Sequence, residues 1–305
     1  MNVLITKLGA TGDVVRTTPL LRALKAQVTW LTESKNTVLL NSLTDDLNCL
    51  AWEHREKIRN IEYDLIINLE DSFEVAGFGG ALKFDRLFGA YLDRAGRLTY
   101  TEDSAPWFDL SLISSFGREE ADRRKLLNRR TYQDLIFGGL GFQFSGEEYS
   151  LPEPTDTELS GDVALAVESG PVWPMKKWAY YDQLKRELEK QGLKVNFLPK
   201  RSFLLEHLAD VQNHRCLVSG DTLPMHFALG LEIPCVSIFT CTSPWEIHDY
   251  GVQTKIVSPL LEQFFYKRGY DERATTAITV DQVFEAVMTQ MEKIASRPIT
   301  GAAPR

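Results

Sequence analysis

The sequence predicts an α/β protein built as two Rossmann-like halves. Three observations carry that prediction. Short apolar runs of strand length alternate with amphipathic stretches of helix length. The alternation starts afresh after LPEPTDTELSGD, Leu151–Asp162, whose Pro, Ser, Thr and acidic residues have the composition of an exposed connection between domains. Finally, 305 residues suffice for two domains that bury their apolar side chains well. We therefore expect a first domain over 1–152, a second over 153–290, and the end of a C-terminal helix with a flexible tail over 291–305.

Taken in order, Asn2–Thr6 reads as a strand, Lys7–Asp13 as a glycine-bearing turn and Val14–Lys25 as a helix. Val28–Leu31 follows as a strand, Lys35–Leu43 as a helix and Asp64–Leu69 as a buried strand. Around Gly77, Gly79, Gly80, Gly89 and Gly96 the periodicity is lost, which predicts loops and a mixed sheet edge up to Phe108. Arg118–Arg130 gives a charged helix that Tyr132–Gly138 continues, closed by Gly138-Gly139-Leu140-Gly141. Beyond the connection, Val163–Val167, Lys194–Leu198, Arg215–Val218 and Cys235–Phe239 read as strands. Ala179–Gln191, Ser202–Val211, Met225–Gly230 and Val280–Ala295 read as helices, with SRPITGAAPR as a frayed tail.

Composition narrows the function. The net charge of −8 argues against general nucleic-acid binding, which draws its sequence-independent affinity from a basic excess. No stretch of eighteen apolar residues occurs and Lys7, Gly9, Gly12 and Asp13 interrupt the N-terminus, so a soluble, cytoplasmic protein is expected. Cys49, Cys216, Cys235 and Cys241 form no C-x-x-C pair and lie in or beside strand-like segments, which predicts buried reduced thiols and no structural metal.

Three strand-to-helix junctions carry the chemistry. In Lys7-Leu8-Gly9-Ala10-Thr11-Gly12-Asp13, glycines permit close backbone approach and the following helix start favours anions, with Asp13 available either as a base or as a simple N-cap. Neither the G-x-G-x-x-G spacing nor the G-K-[ST] ending of nucleotide motifs is present. In Ser219–His226, Asp221 and Thr222 are placed to meet open backbone donors or ligand hydroxyls, and Pro224 suits a first helical turn. Capping alone would also explain them, and His226 on an apolar helix reads equally as a hydrogen-bonded core residue. In Ser169–Trp178, Lys176 and Lys177 lie at the carboxyl edge of a sheet, where cations suit a phosphate-bearing ligand. The bland alternative is a solvated lysine pair.

Together these segments resemble one family. Lys7–Asp13 with Thr17-Thr18-Pro19, then Lys176-Lys177-Trp178, Gly220-Asp221-Thr222 through Pro224-Met225-His226, and Thr242-Ser243-Pro244 are similar, in order and spacing, to the signatures of the ADP-heptose:lipopolysaccharide heptosyltransferases, glycosyltransferase family 9. The region 71–150 contributes little to the likeness. The resemblance implies a GT-B architecture, with two Rossmann-like domains facing across a cleft, and an inverting transfer of a heptose from ADP-heptose without metal or other cofactor. It implies Asp13 as general base, Gly9, Ala10 and Thr11 on the acceptor side, and Lys176, Gly170, Trp178, Asp221, Thr222, Leu223, Pro224, Met225 and His226 on the donor side. Lys176 and the amides from Thr222 to His226 would then stabilise charge gathering on the leaving diphosphate. The chain departs from the family pattern at Leu223, where glycine is usual, and has no clear counterpart of the glutamate near the donor ribose.

The partners so implied are a nucleotide-sugar and a glycan or glycolipid acceptor, foremost the lipopolysaccharide inner core, with peripheral contact at the inner face of the cell membrane. Arg118 and Arg124, in a helix dense with Arg123, Lys125, Arg129 and Arg130, are candidates for an anionic acceptor, against the alternative of a solvated face balanced by Glu119, Glu120 and Asp122. Phe73, Phe78, Phe84, Phe88, Tyr91, Trp107 and Phe108 offer an acceptor wall or a membrane-facing patch, although core packing is the commoner fate of such residues. Competing functions are transfer to a secondary metabolite, capsule or protein, use of another nucleotide-sugar, and a nucleotide-sugar-binding protein without catalysis.

Overall fold

The computed structural model describes residues 1–41 and 43–296; the expected tail from position 297 lies outside the described residues. The chain divides into two compact units. The first comprises Met1–Thr155 with Ser202–Leu205 and Ser243–Tyr250, and the second Asp156–Arg201, Glu206–Thr242 and the chain from Gly251. Two segments inside the second half of the sequence thus count with the first unit.

In the first unit, β1 (Asn2–Thr6), β2 (Gln27–Thr32), β3 (Leu47–Ala51), β4 (Glu62–Asn68), β5 (Lys83–Leu92) and β6 (Leu98–Tyr100) form one sheet in the order β3-β2-β1-β4-β5-β6. Pairing is parallel except between β5 and β6. Successive residues of a strand face opposite sides. Val3 and Ile5 accordingly join one core with Val14, Trp30, Tyr132 and Ile136, while Leu4 joins another with Tyr63, Ile66 and Phe78.

The expected helix from Val14 to Lys25 is instead two short ones, α1 (Thr11–Thr17) and α2 (Leu20–Ala23). Pro19 lacks the N–H that would continue the ladder, and the Thr17 and Thr18 hydroxyls turn back onto the carbonyls of Asp13 and Val15. The predicted helix 35–43 shrinks to a 3-10 turn and α3 (Thr37–Leu40). Where loops were expected, Phe73–Gly80 forms α4 and Lys83–Leu92 is the long strand β5. Burial of Val75, Ala76 and Phe78 outweighs the poor helix propensity of three glycines. Gly89 sits in β5 at φ +110°, where any Cβ would meet the carbonyl oxygen of Asn68. After α5 (Ala105–Phe108), the single charged helix that was expected is two, α6 (Arg118–Leu127) and α7 (Tyr132–Leu140). A capping box of Thr131 and Asp134 starts α7 afresh, and left-handed Gly141 ends it.

The second unit holds β7 (Gly161–Ala166), β8 (Val195–Phe197), β9 (His214–Gly220), β10 (Cys235–Phe239) and β11 (Gln253–Val257), all parallel, in the order β11-β10-β9-β7-β8. Strand β11, absent from the sequence reading, lies at the edge with its side chains half exposed, so it lacks a strong apolar run. The helices are α8 (Tyr181–Lys190), α9 (Leu204–Gln212), α10 (Leu223–Gly230), α11 (Leu261–Phe264), α12 (Glu272–Thr276) and α13 (Val280–Ser296). Helices α8 and α13 pack Leu184, Leu188, Val283 and Val287 onto Val163, Leu165, Val218 and Ile238. Among the described residues, the four cysteines are unpaired, and burial pushes the Cys49 thiol up to about 12. No described helix is long and apolar enough to cross a membrane.

Candidate functional site

In each unit the chemistry collects where the strand order reverses. Ligands of open α/β sheets bind outside the carboxyl ends of strands at such switch points. The first switch lies between β1 and β4, the second between β7 and β9.

At the first, Lys7 leaves β1 and Glu70 follows β4. Lys7 Nζ lies 2.8 Å from Glu70 Oε1, which also accepts the Leu8 amide at 2.9 Å. Burial alone would depress the Lys7 ammonium, but the charges of Asp13 and Glu70 raise it above its ordinary value, so it remains a cation. Helix α1 starts at Thr11 with Ala10 in the N-cap position, and Asp13 falls in its first turn. Asp13 is therefore not the helix cap. Its Oδ1 lies 3.0 Å from Arg16 one turn on, with about a third of the carboxylate exposed. Arg16 lies over the ring of Tyr132 at 4.3 Å and within 3.9 Å of Glu246. Lys125 Nζ approaches the same glutamate to 3.4 Å. Gly9 runs beside Glu33, Ala10 takes the N-cap position, and the Thr11 hydroxyl donates to Asn36.

Arg118 and Arg124 do not join this group. Arg118 pairs with Asp122, and Arg124 with Glu120, its guanidinium 3.6 Å from the centre of the Phe116 ring. The charge run is largely a network on the helix surface, as the bland reading has it, and Lys125 is the member that turns inward. Phe78, Phe88 and Phe108 are core residues, whereas Phe73 is exposed.

At the second switch, Lys176 follows β7 and Asp221 follows β9. Lys176 Nζ lies 2.8 Å from Asp221 Oδ2 and donates to the Asp221 carbonyl at 2.7 Å. Burial would push the Asp221 carboxyl up, yet the charges of Lys176, then His226, and the hydrogen bond from Lys176 hold it well below the usual carboxylate range. Thr222 takes the N-cap position of α10 without a side-chain cap bond; its hydroxyl shares a hydrogen bond with Ser219. The expected row of free amides narrows. Thr222 donates to Gly220 and Met225 to Thr222, Pro224 has no N–H, and Leu223 at the first helical position holds the amide the helix cannot use.

Other donor-side candidates serve differently from the expectation. Trp178 is 1 % exposed in the core with its indole donating to Ile278, and Met225 is fully buried, so neither side chain reaches a ligand. Lys177 is an exposed partner of Glu168, and Gly170 lies in an open loop. Gly220 is required for close approach: a Cβ there would stand 2.6 Å from the Lys176 carbonyl oxygen. Gly220→Ala should cost about 1–3 kcal/mol of stability, measurable by urea denaturation.

Sequence reasoning missed Glu70, Arg16 and Glu246, because no local motif marks them, and it named Lys125 only as part of a basic helix; each acquires its meaning from its distant partner. Among the described residues, no group of three or more His, Cys, Asp or Glu is arranged to hold a metal ion.

Residues 171–272, which contain Lys176, Asp221 and α10, match the model of glycosyltransferase family 9 (heptosyltransferase). No curated protein matches the chain in sequence. Among solved structures, E. coli heptosyltransferase WaaC with ADP superposes with a TM-score of 0.64 at 15 % identity, covering 95 % of this chain and all of that one. A family 9 glycosyltransferase from Veillonella parvula gives 0.67 at 15 % identity over 96 % and 97 % of the two chains. E. coli ADP-heptose lps heptosyltransferase II gives 0.56 at 15 % identity over 97 % and 100 %. The fold is thus the GT-B fold of these enzymes along nearly the whole chain, and the segment that matches glycosyltransferase family 9, residues 171–272, is seated on the second switch point.

Proposed function

We propose that the protein transfers a heptose from ADP-heptose to a hydroxyl of a glycan or glycolipid acceptor, foremost the lipopolysaccharide inner core, with inversion at the anomeric carbon. The observation that carries this reading is the Lys176–Asp221 pair beside the Leu223 amide, inside the segment that matches the family. A cation held by a largely buried carboxylate at a switch point suits the diphosphate of a nucleotide-sugar, and it places positive charge where negative charge collects as ADP leaves. Lys176 and the α10 N-terminus do this without a metal or cofactor. In the first unit, Asp13 accepts the proton of the attacking acceptor hydroxyl as the new glycosidic bond forms. The Tyr132 phenol beside it is pushed up by burial and stays neutral, so it does not compete for that role.

With a glycolipid as acceptor, the enzyme would work peripherally at the cytoplasmic face of the membrane, where that sugar is presented. The direct test offers purified protein ADP-heptose, ADP-glucose and UDP-glucose, with lipopolysaccharide cores truncated before the first heptose as acceptor. ADP-heptose should raise the melting temperature and be consumed. If another nucleotide-sugar is turned over and ADP-heptose is not, the donor assignment fails.

A further inference from the structure

Glu246 is an unusual residue for its place. Its side chain is 3 % exposed, its Oε1 makes no hydrogen bond, and two cations converge on it, Lys125 at 3.4 Å and Arg16 at 3.9 Å. A buried carboxylate is costly unless charge partners hold it. Its backbone is fixed as well, since the Glu246 carbonyl accepts the Tyr132 amide at the start of α7 at 2.9 Å. Arg16 is therefore shared. One terminal nitrogen meets Glu246, the other meets Asp13 at 3.0 Å, and the guanidinium plane lies over Tyr132.

We propose that Glu246 is a positioning residue that acts through Arg16 on Asp13, with Lys125 setting how strongly it does so. The inference rests on the reading of Asp13 as the base. A guanidinium bound to one carboxylate alone stabilises its charged form and makes it a poorer proton acceptor; sharing the same cation with Glu246 moderates that hold. Lys125 competes with Arg16 for Glu246, so the two cations act in opposition.

The charged and titratable groups around Asp13 come from every neighbouring element. They are Arg16 on α1, Lys7 after β1, Glu70 after β4, Tyr132 on α7, Lys125 on α6 and Glu246 in the segment 243–250. Beside Gly9 stands Glu33, paired with Lys35. Removing the Glu246 charge leaves Arg16 to Asp13, and removing the Lys125 charge gives Glu246 to Arg16. The two substitutions must move Asp13 in opposite directions.

The experiment titrates the side-chain carboxyl of Asp13 in the full chain labelled with [4-13C]aspartate, the signal being assigned by its loss in Asp13→Asn. Glu246→Gln should lower the Asp13 midpoint by about half a pH unit or more, and Lys125→Met should raise it by a similar amount. Glu246→Asp, which keeps the charge, should stay near wild type; if the glutamine variant does not fold, Glu246→Met is the charge-removing comparison with Lys125→Met. With ADP-heptose and the truncated lipopolysaccharide core, Glu246→Gln should also lower kcat about tenfold while the donor KM holds. Midpoints that do not move, or that move the same way in both charge-removing variants, overturn the proposal. A merely structural role would lower stability without displacing the titration. If Asp13→Asn keeps full transfer, the base reading falls while the titration result stands; if it is inactive and the midpoints are unmoved, the network falls and the base reading stands.

Discussion

Asp13→Asn should lower the transfer rate by about 10²–10⁴-fold while leaving the affinity for the donor unchanged. The substitution is isosteric, so the amide oxygen can still face Arg16 and the start of α1 is undisturbed. What is lost is the ability to take a proton. A carboxylate is ionised at neutral pH at its ordinary pKa, whereas an amide does not accept a proton there. The contacts proposed for the donor belong to Lys176 and α10, in the second unit, so KM for the nucleotide-sugar should hold as kcat falls. Steady-state kinetics with donor varied at saturating acceptor makes the measurement, alongside a melting curve to verify the fold. Transfer within about tenfold of wild type would remove Asp13 from the role of base.

Lys176→Met should be the most damaging single change in the second unit, for two separable reasons. It strands the Asp221 carboxylate, largely buried, without the cation 2.8 Å away, and breaking such a pair costs about 3–5 kcal/mol. It also removes the charge proposed to meet the donor phosphates. The double variant Lys176→Met with Asp221→Asn distinguishes the two. With both charges gone, most of the lost stability should return, while donor affinity should stay at least about tenfold weaker. Full recovery of donor binding in the double variant would mean that Lys176 serves the fold alone.

The same pair sets an acid limit. Because the Asp221 carboxyl is held below its unfolded value, its contribution to stability is fully present above that ordinary value, 3.8, and is lost as pH falls below it toward the folded value. Melting temperature should therefore decline below about pH 4, and the decline should be shallower in the double variant, which has no carboxyl at this position. Thermal melts between pH 3 and pH 6 test this.

Much of this molecule is legible in local pattern. Strands such as Asn2–Thr6 and Cys235–Phe239 are short apolar runs bounded by turn formers, and helices α8 and α13 carry an apolar stripe at helical spacing. The elements that escaped are those whose conformation is imposed by neighbours. Helix α4 carries three glycines and forms because Val75, Ala76 and Phe78 are buried; β5 admits Gly89 because Asn68 leaves no room for a side chain. Strands β3 and β11 lie at sheet edges and are half exposed, so their sequences show neither a continuous apolar run nor clean alternation.

The site divides in the same way. Asp13, Lys176 and Asp221 could be picked out because each lies in a strand-to-helix junction, and such junctions are written in a few consecutive residues. Which charges face one another is another matter. Lys7 meets Glu70, Lys176 meets Asp221, and Arg16 meets Glu246 across separations of 63, 45 and 230 positions (70 − 7, 221 − 176 and 246 − 16). No periodicity encodes such pairings. They follow from sheet orders that bring the carboxyl ends of β1 and β4, and of β7 and β9, side by side, and from a segment, 243–250, that packs with the first unit although it lies between strands of the second. Backbone conformation responds to neighbouring residues, so chain pattern alone specified the two α/β halves and their junctions; charge pairing responds to distance in space, so it took the folded chain to make Arg16, Lys125 and Glu246 part of the site.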